Sequence, residues 1–546
     1  MEKYESAVSE KIETMWYKAM ETADSFVSRS YLDKLNLCRA AEPAEEMLVS
    51  FPIELFRLTR LAYIPSEGIV DKLVNVYSSL NSIGTTVFTI IHGEPGKTEF
   101  YIGCLNRSSS DASRLLLESS FEGNFPGIEL SLRNAREKDE LLDCFFPLEY
   151  RSQSIASVSV SADFRKNKTE DGIKYIQGIE KFIDTMKGKE YTALFLAEPV
   201  SHDDCMDKKR ACENMITELS KYNKIAVNYG QNDAVAVNTS LSEGTNESIS
   251  SSINSSVSKS TSVSIGKNKG SSFSRSFSFF GTTYSSGKNR GTTENSTTGY
   301  ADTTGSTKTN MTGSNFNKTT GESRNSGSSV GMTLNIENKA VSNIISKLEY
   351  ELKKLENSDS FGLWDTAVYI VSQDSSTPIV AANSIRSLVI GDESGKAESF
   401  INYWDRTSKA FSHGSVGNIM KFLHYGMHPV FEKNNGISGK SFFFTPAVAV
   451  GGNVLPSIIG LPMRSVPGVT VIETAEFGRN VVTDDHSSPG NRTVRLGEIM
   501  YMGKKDSSIV KLHVNSLAMH TFICGAPGSG KSNTVYKLIY ELCRLQ

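Results

Sequence analysis

The sequence predicts a multidomain chain of the α/β and α+β classes, and three observations carry that prediction. Short apolar strands alternate with amphipathic helices from about residue 86 to 228 and resume after Asn338. A run dominated by Ser, Thr, Asn and Gly interrupts them between Ala236 and Met332. Near the far end, a short apolar run enters a glycine-rich turn that opens another helix. The expected divisions are an N-terminal α/β accessory region at 1–235, a low-complexity flexible insertion at 236–332 and an α/β continuation of the accessory part at 333–445. A small β-rich element at 446–515 and the start of a further domain at 516–546 complete the chain.

The 546 residues have room for about three or four domains with sizeable cores. Hydrophobic content of 38% and charged content of 22% are ordinary for globular protein once the polar segment is set aside. A net charge of −3 gives no bulk basic field for nucleic acid, although basic residues can be gathered in one channel of a neutral protein. Seven cysteines are scattered without a C-x-x-C pair, usage that suits a reducing cytosol. Cys205 and Cys212, with His202 nearby, fit no zinc spacing and are expected two turns apart on one helix as small buried hydrophobes. The start, Met1-Glu-Lys-Tyr-Glu5, is charged and no long apolar run follows. Neither a signal peptide nor a membrane span is expected, and the predicted location is cytoplasmic.

Residues 2–29 read as an amphipathic helix, with Val8, Ile12, Met15, Trp16, Ala19, Met20, Ala23 and Phe26 on one side. A second helix follows Pro65, with Val70, Leu73, Val74, Tyr77 and Leu80 inward. Thr86–His92 and Thr98–Cys104 form a hairpin across Gly93–Lys97. That loop, Gly93-Glu-Pro-Gly-Lys-Thr98, imitates a phosphate-binding turn but is one residue pair short and leads into a strand, so it is read as a plain turn.

A helix near Ala112–Ser120, a strand at Ile128–Leu132 and a helix at Glu137–Phe145 come next, then the alternating strand Ile155–Val160. Thr169 is expected to cap a helix carrying Ile173, Ile176, Ile179, Phe182, Ile183 and Met186, closed by Gly188. Tyr191–Ala197 is a strand, followed by a helix with Met206, Cys212, Met215, Ile216 and Leu219. The carboxylates and lysines here form no catalytic constellation and read as solvated faces.

From Ala236 to Met332 large apolar residues nearly vanish, and such a segment cannot bury enough surface to offset the entropy of ordering. Ile249, Ile253 and Val257 nevertheless fall at helical spacing. Val263–Ile265 and Ser274–Phe279 would suit a hairpin around Gly266–Gly270. Sequons such as Asn254-Ser-Ser256 and Asn317-Lys-Thr319 are by-products of composition. Val341, Ile344, Ile345, Leu348, Leu352 and Leu355 then make one stripe of a core-facing helix, too short for a coiled coil. The strand Trp364–Val371 and a helix through Ala381 and Ile385 follow. His424 and His428 are four apart with no carboxylate in a metal-ligand position, so they read as incidental.

The segment 447–530 carries Leu455-Pro, Leu461-Pro, Pro467–Ile472 and Glu476–Asn480. Val494–Ile499, a turn at Gly503 and Ile509–His513 come next. It ends in His520-Thr-Phe-Ile-Cys524 and then Gly525-Ala526-Pro527-Gly528-Ser529-Gly530-Lys531-Ser532-Asn533. This is the G-x-x-x-x-G-K-[ST] spacing, with an apolar run expected as a strand before it and a helix bearing Val535, Leu538, Ile539 and Leu542 after it. Glycines allow successive backbone N–H groups to face one anion, and the helix N-terminus adds partial positive charge. Lys531 would reach the β and γ phosphates of ATP, and the Ser532 hydroxyl would ligate Mg²⁺.

With Leu496-Gly-Glu-Ile499 and Leu517-x-x-His520 ahead of it, the Gly-Ser-Gly-Lys-Ser-Asn-Thr core resembles the HerA/FtsK superfamily of ring ATPases, closest to its HerA-like branch. The Leu-Pro, Pro-Gly and Phe-Gly-Arg-Asn run and the Ser/Thr-rich middle also resemble large bacterial ATP-binding proteins of that branch. The resemblance implies a homo-hexamer that moves DNA with ATP, often beside a nuclease, and is specific only from about residue 450 onward. It carries Gly525, Gly528, Gly530, Lys531 and Ser532 over as phosphate and Mg²⁺ contacts, while Ala526-Pro527 replaces the commoner pair. The family's Mg²⁺-coordinating acidic strand, water-polarising residue and bridging arginine lie downstream of the loop. The chain is therefore expected to be the front part of a longer ATPase, and a loop alone binds better than it hydrolyses. Alternative readings are an ATPase of type IV secretion or conjugation, and a non-catalytic partner-binding module.

Overall fold

A computed structural model of the chain describes residues 24, 27–33, 35–43, 53–64, 67–106, 110–148, 153–161, 166–169, 172–175, 178–220, 223–229, 235–237, 274–277, 284–287, 332–390, 399–405, 415–434, 441–474, 478, 492–517 and 519–545. Nearly all of the predicted helix at 2–29, the apolar positions 249–265, the sequons and most of Glu476–Asn480 lie outside the described residues.

The centre of the molecule is a ten-stranded sheet. Its first half comes from β1 (Ile53–Tyr63), α1 (Ile69–Ser82), β2 (Thr86–Glu94), β3 (Lys97–Leu105), α2 (Ser110–Asn124) and β4 (Glu129–Leu132). The pairings β4–β1, β1–β3 and β3–β2 are all antiparallel. That is the split βαββαβ plait, in which the first and third strands lie side by side. The second half repeats the order with β5 (Ser154–Ser159), α4 (Ile179–Thr185), β6 (Tyr191–Pro199), β10 (Leu363–Ser372), α7 (Thr377–Val389) and β11 (Phe400–Trp404). Here β11–β5, β5–β10 and β10–β6 are antiparallel. The two plaits meet where β2 pairs with β6, from Val87↔Ala197 to Gly93↔Tyr191.

The plaits differ at one connection. In the first, β2 and β3 join through Pro95-Gly96, with Glu94 opposite Lys97 and Gly96 at φ 86°. Proline sets one torsion of such a turn and glycine takes the left-handed one. The imitation phosphate loop is thus a turn, tighter than the sequence indicated. In the second plait, residues 200–362 stand at the equivalent connection. They include α5 (His202–Ser220), β7 (Lys224–Tyr229), β8 (Val235–Val237), β9 (Met332–Glu337) and α6 (Lys339–Phe361). Strand β7 pairs with β8 on one side and with β9 on the other, Tyr229 standing opposite Met332. The strands at either end of the polar segment, β8 and β9, are thus the two outer strands of one small sheet with β7 between them.

Alternate side chains of the central strands enter two cores. One face packs Val87, Phe195, Val368 and Ile370 against α1, α2, α4 and α7 through Tyr77, Phe121, Phe182 and Ile385. The other packs Phe88, Leu194, Tyr369 and Trp404 against α3 (Ala135–Phe145) and α8 (Ser415–His424). Burial on both faces explains the nearly unbroken apolar runs of β2, β6 and β10. Helices α5 and α6 share a third core with Cys205, Cys212, Met215 and Leu348, so the two cysteines are buried hydrophobes two turns apart.

Several expectations are corrected. The helix capped by Thr169 is instead a hairpin, Lys166–Thr169 with Gly172–Tyr175, and only Ile179–Thr185 is helical. Gly172 and Gly178 each weaken a helix by about 1 kcal/mol, and the core needs only Ile179, Phe182 and Ile183 from it. Ser274–Phe277 pairs with Tyr284–Gly287, Phe277 standing across from Tyr284, while Val263–Ile265 lies outside the described residues. The stretch expected as a separate β element contributes β12 (Val448–Gly451) to β10 and β13 (Thr470–Glu473) to β1, because those long strands otherwise leave backbone groups unpaired.

Nor are all the charges solvated. Arg29, at φ 52°, places its guanidinium 2.9 Å from Glu351 on α6, and Lys354 is 3.1 Å from the same carboxylate. Lys208 on α5 pairs with Asp365 at 3.4 Å, and Lys209 with Asp359. His428 Nδ1 lies 2.7 Å from the Tyr369 hydroxyl and Nε2 3.0 Å from the Asp365 carbonyl, so the histidine is a structural pin. His424 Nδ1 faces the Phe146 carbonyl at 3.1 Å.

Candidate nucleotide-binding site

The glycine-rich loop belongs to a segment built differently from the plaits. Strands β14 (Thr493–Tyr501) and β15 (Lys504–His513) form a twisted hairpin whose register shifts twice, and α9 (Lys531–Cys543) packs against β14. At the hairpin tip Met502 (φ 48°) and Gly503 (φ 81°) make the turn. The Met502 side chain is buried with Ala62 and Ile64 at the end of β1, and Lys504 pairs with Glu122 of α2 at 3.4 Å. The hairpin therefore bridges the first plait and the loop. Its base is closed by Val494, which is buried, and by Arg492, which donates to the Leu545 carbonyl at 3.4 Å.

Thr521–Cys524, expected as a strand, has no strand assignment. A strand exists through its ladder, and no described residue pairs with this stretch, so its backbone stays irregular and Phe522 is 88% exposed. The helix after the loop forms as expected, but none of its residues is buried, and Val535, Tyr536, Ile539 and Tyr540 face outward.

The loop is an exposed turn that leads into a helix. Gly525 to Ser529 are exposed, Gly530 is the N-cap of α9, and Lys531, Ser532 and Asn533 form its first turn. Gly528 (φ 80°) and Gly530 (φ 87°) occupy the left-handed region, which Cβ-bearing residues enter at a cost. At Gly525 an added Cβ would stand 2.4 Å from Ser529 Oγ, so the fold there requires glycine unless that side chain moves. Ala526 O accepts from Ser529 N at 3.2 Å and closes the turn. Lys531 bends back over it, with Nζ 2.8 Å from Gly525 O and 2.7 Å from Ala526 O. The leading N–H groups of α9 have no carbonyl a turn earlier within the helix, leaving donors beside a cation.

All nine predicted residues, Gly525 to Asn533, are therefore brought together on one exposed loop and helix start. Glycine backbone donors, a helix N-terminus and the Lys531 amine lie together there, groups of the kind that could hold a polyphosphate. The Ser532 hydroxyl is exposed in the first turn, where a divalent cation on those phosphates would find it. Among the described residues, no group of three or more His, Cys, Asp or Glu is placed to hold a metal ion. None of their helices is long and apolar enough to cross a membrane.

Comparison with known proteins bears on this segment alone. The family model of the helicase HerA central domain matches residues 494–546, the hairpin, the loop and its helix. That stretch is thus similar to the central domain of ATPases of the HerA/FtsK type. No curated protein matches the chain.

Proposed function

We propose that Gly525–Asn533 binds ATP with Mg²⁺, and that the chain acts as a HerA-like ATPase on DNA within a homo-hexamer, with a nuclease as partner. The observation that carries the nucleotide reading is the position of Lys531. Its amine is bonded to two carbonyls of its own loop, next to the N-terminus of α9. An arriving triphosphate offers the amine stronger, charged acceptors, so Lys531 swings from Gly525 O and Ala526 O to the β and γ phosphates. The backbone N–H groups around Gly528 and Gly530 orient the phosphate chain, and Ser532 holds the cation. Bound Mg²⁺ supplies charge neutralisation between the phosphates. The match to the HerA central domain supports the ATPase class and, through the resemblance, the DNA and ring assignments.

Titration of the chain with a fluorescent ATP analogue tests the site. Replacing Lys531 removes a charged hydrogen bond of about 1.5–3 kcal/mol, so Lys531→Ala is expected to weaken binding by about 10- to 100-fold. Ser532→Ala should remove the Mg²⁺ dependence of the remaining affinity. Equal affinity of Lys531→Ala and the parent would overturn the assignment. Sedimentation with and without nucleotide tests the ring, and a monomer under both conditions would oppose it.

A further inference from the structure

Beside the loop, the hairpin and α9 enclose an open cleft of about 450 Å³ lined by Arg495, Glu498, Lys505, Lys537, Glu541 and Arg544, with Gly497 and Met500. We infer that this cleft holds the phosphate backbone of a nucleic acid strand. The inference rests on the DNA reading above and names where this chain would touch the strand.

Four cations against two carboxylates leave the lining with a net charge of +2. Both carboxylates are engaged within the cleft. Glu498 lies 2.7 Å from Arg495, while Glu541 lies 2.7 Å from Lys537 and 3.8 Å from Arg544. The Lys537 bond and the neighbouring cations hold the Glu541 carboxyl below its ordinary range, so it stays ionised and fixes the two cations in place. Lys505 reaches the cleft from β15 with no carboxylate partner among the described residues. The cations thus stand on two walls. Lys537 and Arg544 are seven residues apart on α9, about 10 Å along its axis. Arg495 and Lys505 come from the paired strands of the hairpin.

The chemistry selects the occupant. A residual charge of +2, after Arg495, Lys537 and Arg544 share two carboxylates, and a single apolar lining side chain, Met500, suit a phosphodiester backbone.

Fluorescence anisotropy of a labelled single-stranded oligonucleotide, titrated with the full chain without ATP, tests the cleft. Lys505→Glu with Arg544→Glu should weaken binding at least tenfold. Because each phosphate contact contributes about 0.7 to the salt slope of single-strand binding, the slope should fall by roughly that amount per lost contact. Lys505→Arg should restore the first contact. Lys505→Gln with Arg544→Gln, milder changes on the surface, should lower affinity in the same direction if the reversed charges disturb folding. Wild-type strand affinity and slope in the substituted proteins would overturn the cleft while leaving the DNA reading standing. A parent chain that binds the ATP analogue but no oligonucleotide would overturn both the cleft and the DNA reading, with the nucleotide site intact.

Discussion

The double plait and the segment around the glycine-rich loop solve the same problem, a short apolar run beside a helix, with opposite outcomes. In the plait, β6 lies between β2 and β10, and every residue from Tyr191 to Ala197 is buried. In the segment, Thr521–Cys524 has no strand partner among the described residues and none of the residues of α9 is buried. Both runs are mainly apolar, Tyr191–Ala197 over seven residues and Thr521–Cys524 over four. What differs is whether other strands of the chain stand on both sides, and that is a property of topology. The comparison also separates two ways of fixing a functional residue. Lys208 and Glu351 are held by burial and pairing in the plait half, whereas Lys531 is held only by its own loop carbonyls and is free to exchange partners. The role proposed for Lys531 requires the second arrangement.

Substitutions that probe this contrast rank by burial. Glu351→Ala leaves the buried Arg29 guanidinium without its partner and is expected to cost about 3–5 kcal/mol, read by denaturant unfolding. Phe182→Ala, removing a fully buried ring packed edge-on to Tyr191 and Phe195, should cost a similar 3–5 kcal/mol. Ile539→Ala on the outward face of α9 should stay within about 0.5 kcal/mol, and a loss comparable to that of Phe182→Ala would show that this face is covered.

The pH dependence adds smaller effects with defined signs. Burial lowers the His428 pKa from its ordinary 6.5, so the unfolded chain takes up a proton there before the folded one does. Stability is therefore expected to fall as pH drops below 6.5, and His428→Gln should remove that part of the slope. Burial raises the Glu351 carboxyl, but Arg29 and Lys354 outweigh it and hold the group below its ordinary 4.5. Its contribution is complete above that value and is lost as pH falls toward the folded value. An acid limb unchanged in Glu351→Gln would contradict this account.

Much of the plait was legible as elements. The stripe Leu73, Val74, Tyr77 and Leu80 marks α1, and the alternation around Pro95-Gly96 marks the hairpin, because both patterns are local. The duplication was not legible, since 200–362 separates β6 from β10 and no local signal reports that two distant strands pair. The charged pairs were missed for the same reason. Lys208 and Asp365 are remote in sequence, and each alone looks like a solvated side chain.

At the candidate site the balance reverses. The sequence alone determined the loop, because G-x-x-x-x-G-K-S specifies its conformation through local sterics: glycines at the left-handed positions and a lysine within reach of its own turn. Only the tertiary structure decided what surrounds it. The anchoring of Met502 on Ala62 and Ile64, the cations gathered on the two walls of the cleft, and the absence of strand structure at Thr521–Cys524 all depend on which remote segments meet. Backbone torsions are set by neighbours in sequence, while burial and charge clustering are set by neighbours in space.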